Sequence, residues 1–360
     1  MRKLATIRTI SNIRPIEGAD RIVVSQIDGW ECVVKKDEFI AGEPIVYIEV
    51  DSIVPERPEF EFLRDRKFRI KTIKLRKQIS QGLVMPMSIL PPGKYEIGDD
   101  VTAVLGIRKH DPQSNQERLL SAQLGLKRKS KIIKWLMRFK WFRRLFANKR
   151  KMGGFPDWIV KTDEERIQNK VAMFEIEKEN KTVFTVTEKL DGQSATFFLH
   201  KVGRKKFEFG VCSRNLRLGK PDTSSYWTVA LKNNIELALK KLIGNANQIV
   251  LQGEIIGQKI QGNKYQIGGC DFYAFNLLID GAKIATEDME TALQQYCIKT
   301  VPIIHSGIPL KETISDMVED AKGDSVLLKK QKREGLVWRN FARNISFKVI
   351  NPEFLLANED

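Results

Sequence analysis

The pentapeptide Glu188-Lys189-Leu190-Asp191-Gly192 decides how the second half of this sequence is interpreted. It follows a β-branched, apolar run at 183–187 that predicts a strand, and its Asp-Gly pair predicts a tight turn. Three motifs follow in order: Gly253-Glu254, Glu334-Gly335-Leu336-Val337 and Phe347-Lys348. Each lies on or beside an apolar run that predicts a strand. The pentapeptide alone is weak evidence, but the ordered set supplies one candidate nucleophile, three carboxylates and one late lysine.

Size and composition indicate an intracellular globular protein of two domains. The chain has 360 residues, of which 42% are hydrophobic and 29% are charged, which allows two sizeable cores. The four cysteines are too scattered for a disulfide framework, and the three histidines lie too far apart to predict a zinc site. The N-terminus lacks the apolar region of a signal peptide, and no long uncharged apolar run follows. We therefore expect a reducing compartment, either cytoplasm or nucleus, and no membrane-spanning segment.

One short segment carries most of the formal net charge of +16. Residues 127–151 contain twelve Lys and Arg and no Asp or Glu, which indicates a polyanionic partner such as nucleic acid. Apolar residues within 131–146 recur every three or four positions and predict a basic amphipathic helix. Such a helix can pack on its own domain, contact RNA or lie on an anionic membrane surface. We assign 111–154 as a basic linker or insert, in which the candidate RNA contacts are Arg138, Arg143 and Arg144.

The first 110 residues predict a small β domain. Short alternating runs at 22–27, 30–34 and 45–50 are separated by turn signals such as Asp28-Gly29, and about five such strands suit an OB-type barrel. Positions 67, 69 and 71 begin a basic ribbon and share one face if they lie on a strand. The ribbon is either a solvated charged face or a groove that follows a nucleic-acid backbone. Its candidate RNA contacts are Lys71, Lys74, Arg76 and Lys77.

Residues 155–360 predict a second domain of the α+β class. Helical patterns occupy 226–242 and 287–299, and Thr286 is the expected N-cap of the second helix. Between and around them lie strand-like runs at 182–187, 194–200, 206–212, 249–255 and 272–279.

Lys189 is the candidate nucleophile, and three acids are candidates for holding a metal ion. To attack phosphorus the lysine amine must lose its proton, so its pKa must fall through burial or a neighbouring cation. Asp191, Glu254 and Glu334 offer only oxygen ligands, which suit Mg²⁺ or Mn²⁺ bound directly or through water. Glu254 lies inside an apolar stretch and therefore needs a partner. The alternatives are a surface hairpin for the lysine and surface charges or helix caps for the acids.

Three cations and one aromatic residue are candidates for binding a nucleotide. Arg214 ends a predicted strand, Arg166 lies in the polar run 161–169, and Lys348 belongs to the last motif. An arginine fork binds phosphate through two parallel hydrogen bonds, although each of these cations can also form a surface ion pair. Phe275 can stack on a purine, although an aromatic residue at this spacing can equally belong to the core.

The ordered motifs resemble those of the covalent nucleotidyltransferase superfamily, which comprises RNA ligases, DNA ligases and mRNA capping guanylyltransferases. The corresponding segments are Lys189-Leu190-Asp191-Gly192 for motif I, Ser213-Arg214-Asn215 for Ia, 251–254 for III, 272–276 for IIIa, 334–337 for IV and Phe347-Lys348 for V. The resemblance implies that Lys189 accepts AMP and that Asp191, Glu254 and Glu334 serve the metal. It implies nucleotide contacts from Arg166, Gln168, Arg214, Asn215, Glu254, Phe275 and Lys348.

The order of the domains resembles the fifth family of ATP-dependent RNA ligases. In that family the OB domain is N-terminal, whereas DNA ligases and capping enzymes carry it after motif V. The run 161–169 also resembles this family. One departure concerns motif V, in which many ligases have Lys-x-Lys and this chain has only Lys348. We therefore expect a further phosphate-binding cation from elsewhere in the chain.

This resemblance implies an α+β fold with an OB barrel at 1–110 and an adenylyltransferase domain at 155–360. It implies an enzyme that uses ATP with Mg²⁺ or Mn²⁺ to seal 3′-OH/5′-phosphate nicks in duplex RNA. The intermediates would be lysyl-AMP and an AMP-capped 5′ end, and the enzyme would act as a monomer. Three alternatives stay open: a GTP-using capping-type enzyme, a DNA ligase with rearranged domains, and a non-catalytic RNA-binding protein.

Overall fold

The computed structural model describes residues 3–110, 153–204, 206–219 and 224–358. The predicted amphipathic helix, with Arg138, Arg143 and Arg144, lies outside these ranges. Within them, no helix has the length and apolar character needed to cross a membrane.

The N-terminal residues form a small body of antiparallel strands, as the alternating runs predicted. Its strands are β1 (Ala5–Thr9), β2 (Asn12–Ile16), β3 (Ala19–Ile27), β4 (Trp30–Lys35), β5 (Pro44–Ile48), β6 (Ser52–Ile53), β7 (Ile73–Leu75), β8 (Gln78–Ser80), β9 (Leu83–Pro86) and β10 (Arg108–Lys109). They pair as two three-stranded sheets, in the orders β1-β5-β9 and β2-β3-β4, and as the pairs β7-β8 and β10-β6.

Alternation along β4 shows why this segment folds as a barrel wall. Trp30, Cys32 and Val34 are all buried, because residues two apart in a strand point to the same face. They pack with Tyr47 of β5 in one apolar cluster. The turn between β3 and β4 falls at Asp28, whose φ of +50° is left-handed, as expected for an Asp-Gly turn.

The predicted basic ribbon is not a single strand. Lys67 and Phe68 adopt φ values of +52° and +57° at the end of a 3₁₀ helix (Pro58–Arg66), so positions 67, 69 and 71 do not share a strand face. Only the later part of the ribbon is regular, as the hairpin β7-β8. Arg76 and Lys77 form its turn, both with positive φ, and both are exposed.

The second body is built on two antiparallel sheets. The larger contains β11 (Gly153–Gly154), β13 (Gln193–Gly203), β14 (Lys206–Cys212), β15 (Leu216–Leu218), β16 (Gln248–Gly257), β17 (Cys270–Ile279), β18 (Ala282–Lys283) and β19 (Lys299–Thr300). Its order is β11-β15-β14-β13-β16-β17-β18, with β19 parallel to β17. The smaller has the order β20-β12-β21-β22, from β12 (Val183–Lys189), β20 (Ile303–Pro309), β21 (Gly335–Asn340) and β22 (Ile345–Ile350).

Six α-helices lie within the described ranges: α1 (Val171–Glu179), α2 (Ser225–Lys232), α3 (Ile235–Leu242), α4 (Thr286–Gln294), α5 (Ile314–Asp320) and α6 (Pro352–Asn358). The single helix predicted at 226–242 is two helices, because Asn234 takes a left-handed φ of +48° between them. Thr286 is not an N-cap but the first residue of α4, which ends at Gln294 rather than 299. The apolar faces of α2, α3 and α4 cover one side of the larger sheet.

The chain passes from the smaller to the larger sheet at the pentapeptide. β12 ends at Lys189, and β13 begins at Gln193 in the other sheet. The three residues between them therefore lie where the two sheets meet. Sheet pairing brings the next two motifs to the same place. β16, which carries Gly253-Glu254, pairs with β13, and β21, which begins at Gly335, pairs with β12.

Candidate active site

A cavity of about 730 Å³ opens between the two sheets and the N-terminal barrel. The predicted site residues of the second body that line it include Lys189, Asp191, Arg214, Glu254 and Lys348. Glu334 and Phe275 line it as well. The N-terminal barrel contributes Lys3, Asp51, Arg69, Lys109 and His110. The structure thus brings together residues that are up to 159 positions apart within the motif set, from Lys189 to Lys348.

The motif glycines are required by the close approach of the strands at this junction. A Cβ on Gly192 would lie 2.3 Å from the Ile255 carbonyl oxygen, and one on Gly253 would lie 2.4 Å from the Phe272 ring. Real Cβ atoms do not approach neighbours this closely, so a larger residue would push the strands apart. Glycine at both positions therefore keeps Asp191 and Glu254 on one side of the cavity.

Lys189 is held by an acid of motif IV. Its Nζ donates a hydrogen bond to Glu334 Oε1 at 2.6 Å, and the lysine side chain is 27% exposed. Residue 189 pairs with Gly335 across β12 and β21, so sheet register fixes the distance between the two motifs. The lysine is therefore accessible from the cavity yet restrained in position.

Asp191 is held by two residues that the sequence did not single out. Lys264 Nζ donates to Asp191 Oδ2 at 2.5 Å, and the Asp191 backbone N–H donates to the Tyr265 hydroxyl at 2.9 Å. Lys264 also lies over the Phe354 ring of α6. The Asp-Gly turn is thus fixed by a loop outside every recognised motif, and spacing in the sequence offered no signal for it.

The three carboxylates control the protonation of the site. Burial acts to lower the pKa of Lys189, but Glu334, Glu254 and Asp191 outweigh it and raise that pKa above the usual lysine value. Burial, reinforced by Glu334 and Asp191 against the opposing effect of Lys189, raises the pKa of Glu254 to about 8. Of the two expected causes of a lowered lysine pKa, burial is therefore outweighed here by the neighbouring carboxylates. A cation that occupies the carboxylates is needed to release the lysine proton.

The donor set fits a hydrated divalent ion better than a directly coordinated one. In the described part of the chain, no three His, Cys, Asp or Glu side chains converge closely enough to enclose a metal. Glu334 Oε2 is nevertheless buried and has no hydrogen-bond partner among the described residues. Carboxylates that face a cavity with oxygen atoms to spare can accept from the water shell that Mg²⁺ usually keeps. That Asp191, Glu254 and Glu334 serve a metal stays a prediction.

The predicted phosphate-binding cations Arg214 and Lys348 also line the cavity, and an acid holds one of them. Arg214 Nη2 donates to Asp163 Oδ1 at 2.5 Å. Lys109 of β10 lies 3.5 Å from the other Asp163 oxygen. Lys348 sits on β22, and its backbone N–H donates to the Glu165 carbonyl at 2.8 Å. The further cation expected from outside motif V has candidates here in Lys109 and in Arg339 of β21.

Arg339 is a buried cation that the sequence analysis missed. Its Nη1 donates to Thr187 Oγ1 at 2.8 Å, and its Nη2 lies 3.9 Å from Glu164 Oε1. Burial lowers the pKa of this arginine, and Nε has no hydrogen-bond partner among the described residues. The available signal was a charged residue directly after the apolar run Leu336-Val337-Trp338, since a buried charge needs a partner.

Three predicted nucleotide contacts lie at the edge of the cavity or behind it. Arg166 lines the cavity but is buried against the barrel, with its guanidinium 5.5 Å from the centre of the Trp30 ring and 3.5 Å from Asp51. Gln168 is buried and packs against Gly29 of the barrel, outside the lining. Asn215 accepts from Lys161 at 3.2 Å and is also outside the lining.

Phe275 and the predicted RNA contacts differ in their surroundings. Phe275 lines the cavity while packing partly against an apolar cluster with Leu190 and Tyr265, so both the stacking and core interpretations fit its position. Lys74, Arg76 and Lys77 project from the exposed hairpin β7-β8, and Lys71 is half-buried before it. Arg138, Arg143 and Arg144 lie outside the described residues.

Two family models divide the chain as the fold does. A model described as "PHA02142 OB-fold domain" matches residues 4–87, and a model described as "RNA ligase" matches residues 182–350, which include motifs I to V. The class defined by the fold and the site is therefore a ligase whose OB domain precedes its catalytic domain. No curated protein matches the chain.

Solved structures of one relative match nearly the whole chain. Mutants of Naegleria gruberi RNA ligase solved with ATP and Mn and with AMP and Mn are each 34% identical, with TM-scores of 0.80. The first covers 100% of both chains. The same ligase with PPi is 34% identical with a TM-score of 0.79 and covers 99% of this chain and 98% of its own. The chain belongs to the RNA ligase family, and its fold and enzyme class are those the motifs predicted.

Proposed function

We propose that this enzyme uses ATP and Mg²⁺ or Mn²⁺ to seal 3′-OH/5′-phosphate nicks in duplex RNA. The amine of Lys189 attacks the α-phosphorus of ATP, a P–N bond forms, and the P–O bond to pyrophosphate breaks. AMP then passes from the lysine to the 5′-phosphate of the nick. The 3′-OH attacks that phosphate, the new phosphodiester forms, and AMP leaves.

One observation carries the proposal: the Lys189 amine faces a cavity, within 2.6 Å of a carboxylate, at the junction of two sheets. A buried, oriented lysine is the group that nucleophilic transfer to nitrogen requires. The relative's structures with ATP and Mn and with AMP and Mn support the choice of nucleotide and metal. When bound, the divalent ion would neutralise charge on the phosphate and on Asp191, Glu254 and Glu334.

The cations and the aromatic side chain that line the cavity would hold the nucleotide. Arg214 and Lys348 would bind phosphates, with Arg166 acting from the barrel side, and Phe275 would lie against the adenine. Gln168 and Asn215 would act indirectly, since neither lines the cavity. Gln168 would position the barrel, and Asn215 would orient Lys161, to which it is hydrogen-bonded.

The N-terminal barrel (1–110) and the basic insert (111–154) would clamp the RNA duplex against the adenylyltransferase domain (155–360). The contacts would be mostly to phosphates, from Lys71, Lys74, Arg76 and Lys77 and from Arg138, Arg143 and Arg144. The enzyme would act as a monomer.

The first experiment is labelling with α-phosphate-labelled ATP or GTP and a divalent ion, followed by a denaturing gel, with Lys189→Ala beside the wild type. We expect label from ATP that is lost in the variant. Label from GTP alone would favour capping chemistry. A wild-type protein that takes no label, and whose mass shows no bound AMP, would contradict the proposal in favour of a binding protein.

Substrate choice needs a second experiment with nicked duplexes. We expect sealing when both ends of the nick are RNA, and weaker sealing when the same ends are DNA. Equal or better sealing of the DNA nick would contradict the assignment of the substrate and favour a DNA ligase.

A further inference from the structure

Asp163 stands between cations of both domains at the wall of the cavity. One carboxylate oxygen accepts from Arg214 at 2.5 Å, and the other lies 3.5 Å from the Lys109 Nζ of the barrel. Arg214, Lys109 and Lys348 together hold the pKa of this carboxyl at about 2, against the opposing effect of its partial burial. The carboxylate is therefore charged at neutral pH.

The contacts of the Asp163 carboxylate with Arg214 and Lys109 are the ones that a phosphate group makes. A phosphate oxygen takes the same in-plane positions on an arginine fork as a carboxylate oxygen does. The Asp163 side chain is 59% exposed, so it can turn away from the cavity at little steric cost. Arg214 and Lys109 both line the cavity, so a ligand phosphate and Asp163 would compete for them.

We propose that the Asp163 carboxylate occupies, in the nucleotide-free pocket, the position on Arg214 and Lys109 that a nucleotide phosphate takes. This inference rests on the proposed function, which assigns phosphate binding to that wall. Asp163 is a positioning residue and does not touch the reacting atoms. It weakens phosphate binding by competing for Arg214 and Lys109, and it pairs with them again when pyrophosphate leaves. Because Lys109 belongs to the barrel, the exchange also changes a contact between the two domains.

The test compares binding of pyrophosphate and adenosine to the full chain by calorimetry, at fixed salt and Mg²⁺. The protein is first treated with pyrophosphate and dialysed, which removes any AMP already bound to it. We expect Asp163→Asn to bind pyrophosphate roughly twofold to fivefold more tightly, the size that one partly exposed ion pair supports. Adenosine has no phosphate, so its affinity should not change. Asp163→Glu keeps the charge, so this variant should bind pyrophosphate nearly as weakly as the wild type does.

The matched control is Glu208→Gln. Glu208 is also a partly exposed acid that accepts from an arginine, Arg217, at 2.6 Å, and it lies outside the cavity lining. This variant should bind both probes as the wild type does. Unchanged or weaker pyrophosphate binding by Asp163→Asn would overturn the inference, because the acid would then merely orient Arg214. Equal tightening of adenosine would overturn it too. Neither binding measurement needs catalytic turnover. A failure of nucleotide labelling, which tests the proposed function, can therefore be distinguished from a failure of this inference.

Discussion

At the scale of single residues, the chemistry depends on how three carboxylates and one lysine share protons. Glu334 and Glu254 raise the pKa of Lys189, and the charged amine cannot attack phosphorus. Under the proposed function, this arrangement would keep Lys189 inactive as a nucleophile until positive charge reaches the carboxylates. A bound divalent metal would then lower the pKa of the lysine by opposing the carboxylates, and a metal that enters with the nucleotide phosphates would tie activation of the lysine to the presence of its substrate.

This coupling predicts how adenylylation depends on pH and metal. The single-turnover rate at saturating ATP should rise with pH, since deprotonation of Lys189 is required and its pKa is raised. Increasing Mn²⁺ should move the midpoint of the profile to lower pH, because added positive charge opposes the carboxylates. The measurement is a set of pH–rate profiles at several metal concentrations. A midpoint that stays fixed while the rate increases would show that the metal acts only on the phosphate.

The residues of the site divide by whether a short motif contains them. Lys189, Asp191, Glu254, Glu334 and Lys348 belong to motifs, and the sequence therefore indicated them before the fold was known. Lys264 and Asp163 reach the site through tertiary contacts of distant loops, which no spacing rule describes, whereas Arg339 lies on β21 just after motif IV. The buried position of Gln168 against the barrel could not be predicted either, because it depends on how the two domains pack.

At the scale of elements, the turn from β12 to β13 joins the two sheets at the site. It carries Lys189 in one sheet and Gln193 in the other. Alternation and turn signals predicted these strands well, with ends displaced by up to three residues. They did not predict that the strands belong to different sheets, since local patterns carry no information on pairing between distant segments.

We predict that Gly192→Ala destabilises this junction and abolishes labelling. The new Cβ would lie 2.3 Å from the Ile255 carbonyl oxygen, and overpacking of this kind typically costs about 1–3 kcal/mol. Thermal unfolding followed with the labelling assay gives both readouts. Gly203→Ala is the control, because its nearest neighbour would be at 3.8 Å. A fully active Gly192→Ala would mean that the two sheets can separate without harm to the site.

The hairpin β7-β8 allows stability and RNA binding to be separated. Its turn has positive φ at both Arg76 and Lys77, a geometry that favours Asn-Gly. We therefore predict that Arg76→Asn with Lys77→Gly leaves the melting temperature unchanged or higher, while RNA affinity falls and its salt dependence weakens. Two lost phosphate contacts should reduce the slope of log K against log salt by about 1.4–1.8.

The control for the hairpin variant is Lys240→Gln with Lys241→Gln, which removes the same charge from exposed positions of α3. Its RNA affinity and salt slope should match those of the wild type. If both variants lose affinity equally, net charge rather than the hairpin governs RNA binding.

At the scale of the whole molecule, the barrel and the catalytic domain are joined beside the cavity by a small polar cluster. Asn169 accepts from Trp30 Nε1 at 2.9 Å and donates to Glu49 at 2.7 Å. Arg166 adds its contacts to Trp30 and Asp51. The order of the domains was visible in the sequence because each has its own pattern. Their orientation was not, because it rests on single polar contacts between residues more than 100 positions apart.

We predict that Asn169→Ala impairs nick sealing more than labelling by ATP. The change removes the acceptor of Trp30 Nε1 and one hydrogen bond to Glu49, and an unsatisfied buried polar group such as the indole N–H typically costs about 1–3 kcal/mol. The change destabilises the interface between the two domains. The barrel should therefore lose its fixed orientation, while Lys189 and its carboxylates keep theirs. Sealing needs both bodies to hold one duplex, whereas labelling needs chiefly the cavity. The measurements are sealing and labelling rates side by side, with Asn233→Ala as control, since the Asn233 side chain donates to the Val229 carbonyl of its own helix. Equal loss of both activities in Asn169→Ala would mean that the barrel takes part in the attack on ATP itself, through the residues it contributes to the cavity.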